Sequence, residues 1–233
     1  MSDLLAIVLL TLKIALTGVI VTLPIAILLA YILAKGKFAG KALLSAFVML
    51  PLVMPPVVTG LILLETFGPK GFLGQFFAIF GIEFGFRWTG AALAAGLVAL
   101  PLIIRPIRQG FEAVDPDLEE ALTVAGLNRW RRFILLDLPI AMPGILAGII
   151  LGFAKALGEF GATITFVASI PKETQTISLA IYSFLQQPDA SQKVIILASF
   201  SIGLSIFAVV VSELLTQKIR TGLYGKNGAK NAI

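Results

Sequence analysis

The chain of 233 residues is 58% hydrophobic and only 13% charged, and its 18 Lys and Arg against 13 Asp and Glu give a net charge of +5. Because soluble domains carry about 45–50% apolar and about 25% charged residues, this composition excludes an ordinary cytosolic globule and a disordered chain. Too few polar side chains remain to cover a water-facing surface, so we expect most of the chain to lie in lipid. The absence of Cys and His removes disulfides, thiolate metal sites and the commonest general base.

Five stretches of the sequence are long and apolar enough to cross a bilayer, which takes roughly 20 residues of helix. The segment Glu65–Arg87 is rich in Gly and too short for a further crossing, and we expect it to be re-entrant or to lie at the outer interface. In chain order the five predicted spans are Leu4–Ala34, Leu43–Leu64, Trp88–Ile104, Leu138–Val167 and Val194–Leu215.

Basic residues fall mainly in alternate connections between these spans. Most of the 18 Lys and Arg residues lie after the first span, after the third span and in the tail that includes Lys230. Since positive charge favours the cytoplasmic side, the pattern predicts a five-span, all-α integral membrane protein with its N-terminus outside and its C-terminus in the cytoplasm. Residues 1–233 then form a single transmembrane domain, with residues 105–139 as a cytoplasmic loop.

Prolines interrupt the second predicted span at Pro51, Pro55 and Pro56. Each proline removes a backbone donor and kinks a helix, and such a break is tolerated in a membrane only where protein or water satisfies the freed carbonyls. Two interpretations are open at this point: a broken helix that lines a translocation path, or a packing kink in a static bundle.

The fourth predicted span carries a stripe of small residues at every fourth position, which lets another helix backbone approach closely. The stripe consists of Gly144, Gly148, Gly152 and Ala156. Its spacing fits helix packing within one subunit and equally fits a contact between two copies of the chain.

The same span contains two charges, Lys155 and Glu159, whose spacing of four residues brings them together on one face of a helix. A lone charge at the bilayer centre costs about 2.5–3.5 kcal/mol on insertion scales, so the two must face protein or water. They either border a translocation path or its gate, or fix helix packing as an internally neutralised pair.

The cytoplasmic loop contains residues that are typical of the ends of two short helices. Asp115 is suited to cap the first helix, Gly126 fits a left-handed residue just past its end, and Asn128 can cap the second. A helix–Gly–helix outline also occurs in DNA-binding turns, but both ends of this loop run directly into spans, so we expect no nucleic-acid partner. Instead we expect the first helix to dock on a soluble protein through its apolar face. This face contains Leu118, Ala121, Leu122, Val124 and Ala125.

The sequence lacks its own source of energy for uphill transport. No GxxxxGK[ST] phosphate loop is present, Glu159 is the only carboxylate deep in a predicted span, and no inverted repeat is visible. These features disfavour an ion-coupled secondary carrier, and the lack of His, Cys and clustered carboxylates disfavours an integral membrane enzyme. A partner subunit should therefore supply the energy.

The loop also carries a family motif, EAA, three residues, G, nine residues and I-x-L-P. The chain departs from this pattern at Leu122, where the pattern has Ala, and at Leu136, where it has Ile, and both changes keep an apolar side chain. The matching residues resemble the EAA loop in the membrane subunits of binding-protein-dependent ABC importers, and they are Glu120-Ala121-Leu122, Gly126, Leu136, Leu138 and Pro139.

Further stretches narrow the resemblance to the membrane subunits of molybdate importers, over nearly the whole chain. Lys155 stands where that family commonly has Arg. Lysine keeps the positive charge but lacks the planar guanidinium group with its paired donors. The similar stretches are KFAGKALL (Lys37–Leu44), LPLVMPPVVTGLILL (Leu50–Leu64), PKGFLG (Pro69–Gly74) and Phe153–Tyr182.

This resemblance implies a five-span bundle of the type I ABC importer permease kind in a bacterial or archaeal plasma or inner membrane. Two copies would form a homodimeric pore, cytoplasmic ABC ATPase subunits would grip the loop, and an extracytoplasmic binding protein would deliver molybdate. Permeases for sulfate, thiosulfate or another oxyanion are the alternative, and tungstate would pass with molybdate. The chain would bind no metal or cofactor, since the partner ATPase uses ATP and Mg. The implied coupling residues are Glu119, Glu120, Ala121, Leu122, Gly126, Leu138 and Pro139.

Candidates for a path or gate follow from the chemistry of a dianion, which needs polar walls that bind it weakly enough for release. Hydroxyl groups near broken or Gly-rich backbone supply such walls, although each could equally bond back to its own helix. With the charged pair, the candidate path or gate residues are Thr59, Lys155, Glu159, Thr163, Thr165 and Ser169.

Overall fold

The computed structural model describes residues 2–188 and 191–228, which form helices joined by turns and short loops. Lys230, one of the basic residues of the predicted cytoplasmic tail, lies outside the described residues. The helices are α1 (Ser2–Lys35), α2 (Lys41–Val53), α3 (Pro56–Phe67), α4 (Phe72–Ala78), α5 (Trp88–Glu112), α6 (Pro116–Val124), α7 (Arg129–Arg132), a π-helical turn (Phe133–Asp137), α8 (Leu138–Leu157), α9 (Gly161–Val167), α10 (Ile177–Leu185) and α11 (Ser191–Gly228).

Helix α5 forms the centre of the bundle, packed between α1 and α8. It is rich in Ala, and its buried face includes Val98, Ile103 and Ile107. A Cβ atom on Gly96 would lie 2.6 Å from the carbonyl oxygen of Gly18, so α1 and α5 touch backbone to backbone where they cross. Small residues thus allow the close approach that packs helices tightly in lipid.

The small-residue stripe of the fourth predicted span faces α5 of the same chain. A Cβ atom on Gly148 would lie 2.7 Å from the Ile103 carbonyl oxygen, and one on Gly144 would clash with the Pro106 carbonyl oxygen. A Cβ atom on Gly152 would likewise clash with the Ile103 side chain. Of the two interpretations of the stripe, the structure therefore supports packing within one subunit.

The second predicted span is divided into two helices rather than kinked. Helices α2 and α3 are bent by 108° at the break between them. Met54 is extended, with φ −66° and ψ 146°, as a residue before proline prefers, and neither Pro55 nor Pro56 has an amide hydrogen to continue the α2 ladder. Of the two interpretations of these prolines, the structure therefore supports a broken helix, as a broken span or a re-entrant loop.

The fourth predicted span, Leu138–Val167, is also divided. Helix α8 ends at Leu157 and α9 begins at Gly161, because Glu159 turns its carboxylate onto the Ala162 amide at the start of α9. Toward its N-terminus, α8 is continuous with the π-helical turn and α7, so that one helix runs from Arg129 to Leu157. The third predicted span is likewise longer than Trp88–Ile104, since α5 reaches Glu112.

Within the described residues, four helices are long and apolar enough to cross a membrane, or five if the bent pair α2–α3 counts as one span. After the last residues of α3, the segment Glu65–Arg87 contains α4, whose seven residues reach about 10 Å along a helix axis, too short for a crossing. Aromatic contacts hold this segment together, since the Phe84 ring lies 5.5 Å from Phe67 and 5.4 Å from Phe77.

Contacts between helices bring the predicted inner and outer connections to opposite ends of the bundle. At one end, Lys35 of α1 forms an ion pair with Glu119 of α6. At the other, the Thr11 hydroxyl of α1 accepts a hydrogen bond from the Ile177 amide of α10 at 2.9 Å. Because Thr11 and Lys35 are separated by about 36 Å of helix, the loop around α6 and the start of α10 lie at least the length of a span apart along α1.

Candidate coupling surface and translocation path

Helix α6 lies in the predicted cytoplasmic loop, and side chains fix its beginning and the turn that follows it. Asp115 Oδ1 accepts a hydrogen bond from the Asp117 amide at 2.9 Å. Gly126 has φ +84°, a left-handed conformation that side chains disfavour. Asn128 Oδ1 then caps α7 by accepting from the Arg131 amide at 2.8 Å. The predicted pair of short helices with these caps is confirmed.

One side of α6 is open to solvent and carries apolar side chains. No residue of α6 is buried, and Val124 is 83% exposed and Leu118 45% exposed. Glu120 and Ala121, which begin the family motif, are exposed on the same side of the helix. We call the side formed by Leu118, Glu120, Ala121 and Val124 the coupling surface, because exposed apolar side chains rimmed by charge are typical of a protein docking site.

The opposite side of α6 faces the bundle. Glu119 forms an ion pair with Lys35, and the two side chains are 22% and 19% exposed. One turn further, the Thr123 hydroxyl accepts a hydrogen bond from Arg132 Nη1 at 2.7 Å, and Leu122 is half-buried. Of the two neighbouring glutamates among the implied coupling residues, Glu120 therefore points outward and Glu119 binds within the subunit.

Asp137 is a feature of this loop that sequence reasoning missed. It ends the π-helical turn, is 0% exposed, and neither of its carboxylate oxygens has a hydrogen-bond partner among the described residues. Lys35, Glu119 and Arg132 are charged groups close to it. The family motif assigns no residue type to this position. The sequence feature that could have drawn attention to Asp137 was an acidic residue directly before an apolar span.

Aromatic rings tie the base of the loop to α1 and α5. The Tyr31 ring of α1 packs edge-on against Phe111 of α5 at 5.3 Å and against Phe133 of the π-helical turn at 5.1 Å. Leu138 and Pro139, the last residues of the motif, begin α8, where Leu138 packs against the core and Pro139 is exposed. The loop is therefore attached to α1 as well as to the two spans that it connects.

Lys155 and Glu159 meet as their spacing predicts, with 2.9 Å between Nζ and Oε2. The Glu159 side chain is 2% exposed, and its other oxygen accepts a hydrogen bond from the Ala162 amide at 3.0 Å. The pair therefore connects the end of α8 to the start of α9 across the break, and its part in a gate stays a prediction.

Three candidate hydroxyl residues lie on α3 and α9, which cross in close contact. A Cβ atom on Gly60 would lie only 2.5 Å from the Ala162 carbonyl oxygen. Thr59 and Thr163 are 4% and 1% exposed, and the Thr59 hydroxyl has no hydrogen-bond partner among the described residues. The Thr165 hydroxyl donates to a carbonyl of its own helix at 3.0 Å. Thr59 and Thr163 are thus enclosed within one chain, and α3 and α9 must separate to expose them.

Ser169 is joined to α10 rather than to this crossing. Its hydroxyl lies 3.3 Å from the Ser183 hydroxyl, and the Gln175 amide nitrogen donates to it at 3.4 Å. These contacts show how Ser169 helps to hold the segment between α9 and α10, and they do not bring it together with Thr59.

In the N-terminal half of α1, a cation contacts an aromatic ring, and sequence reasoning missed this contact as well. The Lys13 ammonium lies 3.5 Å from the centroid of the Trp88 ring at the start of α5. Glu173 accepts a hydrogen bond from the Trp88 amide at 3.4 Å and pairs with Arg87 at 3.8 Å. The sequence feature that could have predicted this contact was Lys13, because a lone cation in an apolar span requires a partner.

Comparisons with known proteins find relatives along almost the whole chain. Residues 5–221 match the model of the family described as binding-protein-dependent transport system inner membrane component. The molybdenum transport system permease protein ModB of Haemophilus influenzae is 46% identical over 215 residues, which cover 92% of this chain and 94% of that protein. ModB of Escherichia coli K12 is 46% identical, covering 90% and 92%. The sulfate transport system permease protein CysT of E. coli K12 is 36% identical, covering 77% and 67%.

Solved structures of ABC transporters share the fold. A bacterial alginate ABC transporter, solved in complex with its alginate pentasaccharide-bound periplasmic protein, has a TM-score of 0.73 at 17% identity over 94% of this chain and 80% of that chain. An amino acid ABC transporter with histidines has a TM-score of 0.64 at 18% identity, over 93% and 94%. At these identities the similarity concerns the fold alone.

Proposed function

Because the chain belongs to the family of binding-protein-dependent transport system inner membrane components, we propose that it is the permease subunit of an ATP-driven ABC importer for molybdate. The observation that carries this proposal is the 46% identity to the molybdenum permease of H. influenzae over 92% of the chain. The exposed coupling surface of α6 supports it as well, since a partner protein would cover these apolar side chains.

In this proposal a partner supplies the energy, because the chain has no phosphate loop. Leu118 and Val124 of the coupling surface enter an apolar groove of a cytoplasmic ATPase subunit, Glu120 makes polar contacts at its rim, and Ala121 permits close approach. ATP binding moves the ATPase subunits and carries α6 with them as a rigid lever on the spans. Hydrolysis, with Mg bound by the partner, resets the lever, and this chain itself binds no cofactor.

The oxyanion passes between two copies of the chain, which form a homodimer. Thr59 and Thr163 are enclosed where α3 and α9 cross, so separation of these helices exposes their hydroxyl groups and opens the path. The contact between Lys155 and Glu159 holds α9 to α8 while this happens. Weakly binding hydroxyl groups suit a dianion because they release it again. Thr165 of α9 extends this polar wall, and Ser169 would line a separate part of the path near α10.

The chain crosses the plasma or inner membrane of a bacterium or archaeon five times, with α2 and α3 together as one broken span. The loop with α6 and the C-terminus lie in the cytoplasm and the N-terminus lies outside, an orientation that the basic connections support. An extracytoplasmic binding protein delivers the anion to the outer end, where Trp88 and Glu173 lie. In this orientation the coupling surface faces the compartment that contains ATP.

Molybdate is the proposed substrate rather than sulfate because the molybdenum permeases are more similar to this chain, at 46% identity against 36% for the sulfate permease of E. coli. Tungstate has nearly the same shape and charge as molybdate, so it passes the same path. Discrimination against sulfate falls to the binding protein, since a wall of hydroxyl groups does not distinguish dianions strongly.

The test is co-purification of the tagged chain with its ATPase subunit, followed by an ATPase assay in proteoliposomes with empty, molybdate-loaded or sulfate-loaded binding protein. We expect the molybdate-loaded protein to stimulate hydrolysis more than the empty one. Stimulation by the sulfate-loaded protein alone would make the chain a sulfate permease. Failure to co-purify with any ATPase subunit would contradict the proposal.

A further inference from the structure

The cytoplasmic end of the bundle places one lysine near two carboxylates that belong to different elements. Lys35 ends α1, Glu119 belongs to α6, and Asp137 ends the π-helical turn before α8. Lys35 pairs with Glu119, and Asp137 lies close enough for both charges to act on it. We call Lys35, Glu119 and Asp137 the coupling joint.

Asp137 is poorly satisfied in this conformation. It is completely buried, and neither oxygen accepts a hydrogen bond from the described residues, although buried carboxylates are normally paired. The Glu119 carboxyl lies within hydrogen-bond reach of Asp137 and adds a second negative charge there. Arg132, the other cation close to Asp137, donates from Nη1 to Thr123 at 2.7 Å, while its buried Nε has no partner among the described residues. A carboxylate buried without a partner in one conformation is accounted for if a second conformation supplies that partner.

The elements around the joint are suited to such a change. Lysine carries three rotatable donors on a flexible stem, so Lys35 is suited to change partners by rotation of its side chain. The pair Lys35–Glu119 is largely shielded from solvent, which makes its formation and loss more significant than for a surface pair. Asp137 sits in a π-helical turn, a departure from regular helix that is frequent at functional sites.

We propose that Lys35 exchanges between Glu119 and Asp137 during the transport cycle, and that the coupling joint is therefore a two-state link between α6 and α1. With Lys35 on Glu119, as in this structure, α6 is held against α1. With Lys35 on Asp137, α6 is free of α1, and α1 is held to the base of α8. The inference rests on the proposed function, because the ATPase-driven movement of α6 drives the exchange.

The experiment uses the whole transporter in proteoliposomes, with its ATPase subunits and molybdate-loaded binding protein. Asp137→Asn removes one partner of Lys35 and keeps the shape of the side chain, and Glu119→Gln removes the other. Because the chain has no Cys, spin labels at Lys37→Cys and Asp117→Cys report the distance between the end of α1 and α6 in each variant. The control is Glu112→Gln, a carboxylate at the same end that pairs with Arg108 at 2.7 Å.

We expect the wild-type chain and the Glu112→Gln control to show two label distances during turnover. Asp137→Asn should keep only the shorter distance, and Glu119→Gln only the longer. Each should import at least about fivefold less molybdate per ATP hydrolysed, the lower limit of typical coupling between sites. If Asp137→Asn fails to insert, Lys35→Met decides instead, since it should lose the shorter distance and show the same fall in import per ATP.

Wild-type distances and wild-type import per ATP in Asp137→Asn, or in Lys35→Met where that variant replaces it, would overturn the exchange and leave the proposed function intact. A wild-type complex that hydrolyses ATP without importing molybdate would contradict the proposed function instead. The two failures are therefore distinguishable in the same experiment.

Discussion

Glu159 connects two helices through a single carboxylate. One oxygen pairs with Lys155 at 2.9 Å and the other accepts from the Ala162 amide at 3.0 Å. Because the side chain is only 2% exposed, loss of the carboxylate would leave an unpaired ammonium and an uncapped helix start in the interior. Spacing alone predicted the pair, but the contact with Ala162 depends on a helix break that the sequence pattern did not reveal.

Glu159→Leu should therefore lower the free energy of unfolding by about 3 kcal/mol. This value is the lower end of the range for removing one partner of a buried ion pair, and we choose it because the Lys155 side chain is 31% exposed. Lys155→Arg keeps the charge and should leave stability nearly unchanged. Unfolding of the detergent-solubilised subunit in denaturant measures both variants. Equal stability of Glu159→Leu and the wild type would show that the pair does not hold the break.

Glu120 is exposed beside the apolar side chains of the coupling surface, where it can reach a partner without disturbing the fold. Glu120→Lys should reduce molybdate-stimulated ATP hydrolysis by about tenfold or more, since a reversed charge in an interface opposes its complement. Insertion into the membrane should be unaffected. Glu112→Lys, a charge reversal at the same end but outside α6, should have a much smaller effect, and an equal loss in the two variants would refute a specific contact at Glu120.

At the scale of elements, the angle between α6 and α7 depends on Gly126. Its φ of +84° lies in the left-handed region, which proline cannot adopt and which other side chains adopt at a cost of roughly 1–2 kcal/mol. Asn tolerates this conformation better than most residues. The direction in which the coupling surface points therefore depends on this backbone position as well as on the contacts of Glu119 and Thr123.

Gly126→Pro should uncouple ATP hydrolysis from molybdate uptake, because the turn cannot close and α6 loses its orientation. Gly126→Asn should retain most of the uptake. The measurement is uptake of molybdate per ATP in proteoliposomes, together with the yield of inserted protein. Normal coupling in Gly126→Pro would mean that the orientation of α6 does not matter for transport.

The contact between α5 and α8 depends on small residues, because their backbones approach closely. A Cβ atom on Gly148 would already lie 2.7 Å from the Ile103 carbonyl oxygen, so Gly148→Leu should separate the helices and destabilise the single subunit by about 1–3 kcal/mol. Gly203→Leu is the control, because nothing lies within 4 Å of a Cβ atom there. If Gly148→Leu altered only the association of two subunits and not the stability of each, the stripe would instead be an interface between copies.

Local signals predicted the ends of elements better than their arrangement. Asp115, Gly126 and Asn128 were identified from sequence because capping involves residues two or three positions apart. The 108° bend between α2 and α3 was foreseen only as a broken or kinked helix, since prolines fix where a helix ends but not where the next one points. The ion pair between Lys35 and Glu119 was missed because it joins distant segments and depends on tertiary packing.

At the scale of the whole molecule, large apolar side chains cover much of the outside. Phe72 is 82% exposed, Leu43 76% and Ile20 65%, which a water-soluble protein of this size would not tolerate. The composition predicted that apolar side chains would cover the outside of the protein, and the exposure of these side chains confirms it. What composition could not predict is the enclosure of Thr59 and Thr163 between α3 and α9, because hydroxyl groups near broken backbone fit an open wall equally well.

In the proposed function, the whole molecule separates transport from its source of energy. The bundle would provide the spans and the path, and the coupling surface on α6 would receive the force from the ATPase subunit. The aromatic contacts of Tyr31 with Phe111 and Phe133 attach the base of the loop to α1 and α5, so movement of the loop in the proposed cycle would reach α1 as well. The chain alone should therefore be unable to concentrate an anion.

Uptake of molybdate into proteoliposomes, with external binding protein and with ATP inside, tests this claim most directly. We predict accumulation against a gradient when the chain is reconstituted with its ATPase subunits, and none when the chain is reconstituted alone or when ATP is replaced by a non-hydrolysable analogue. Accumulation of molybdate by the chain alone would contradict the account.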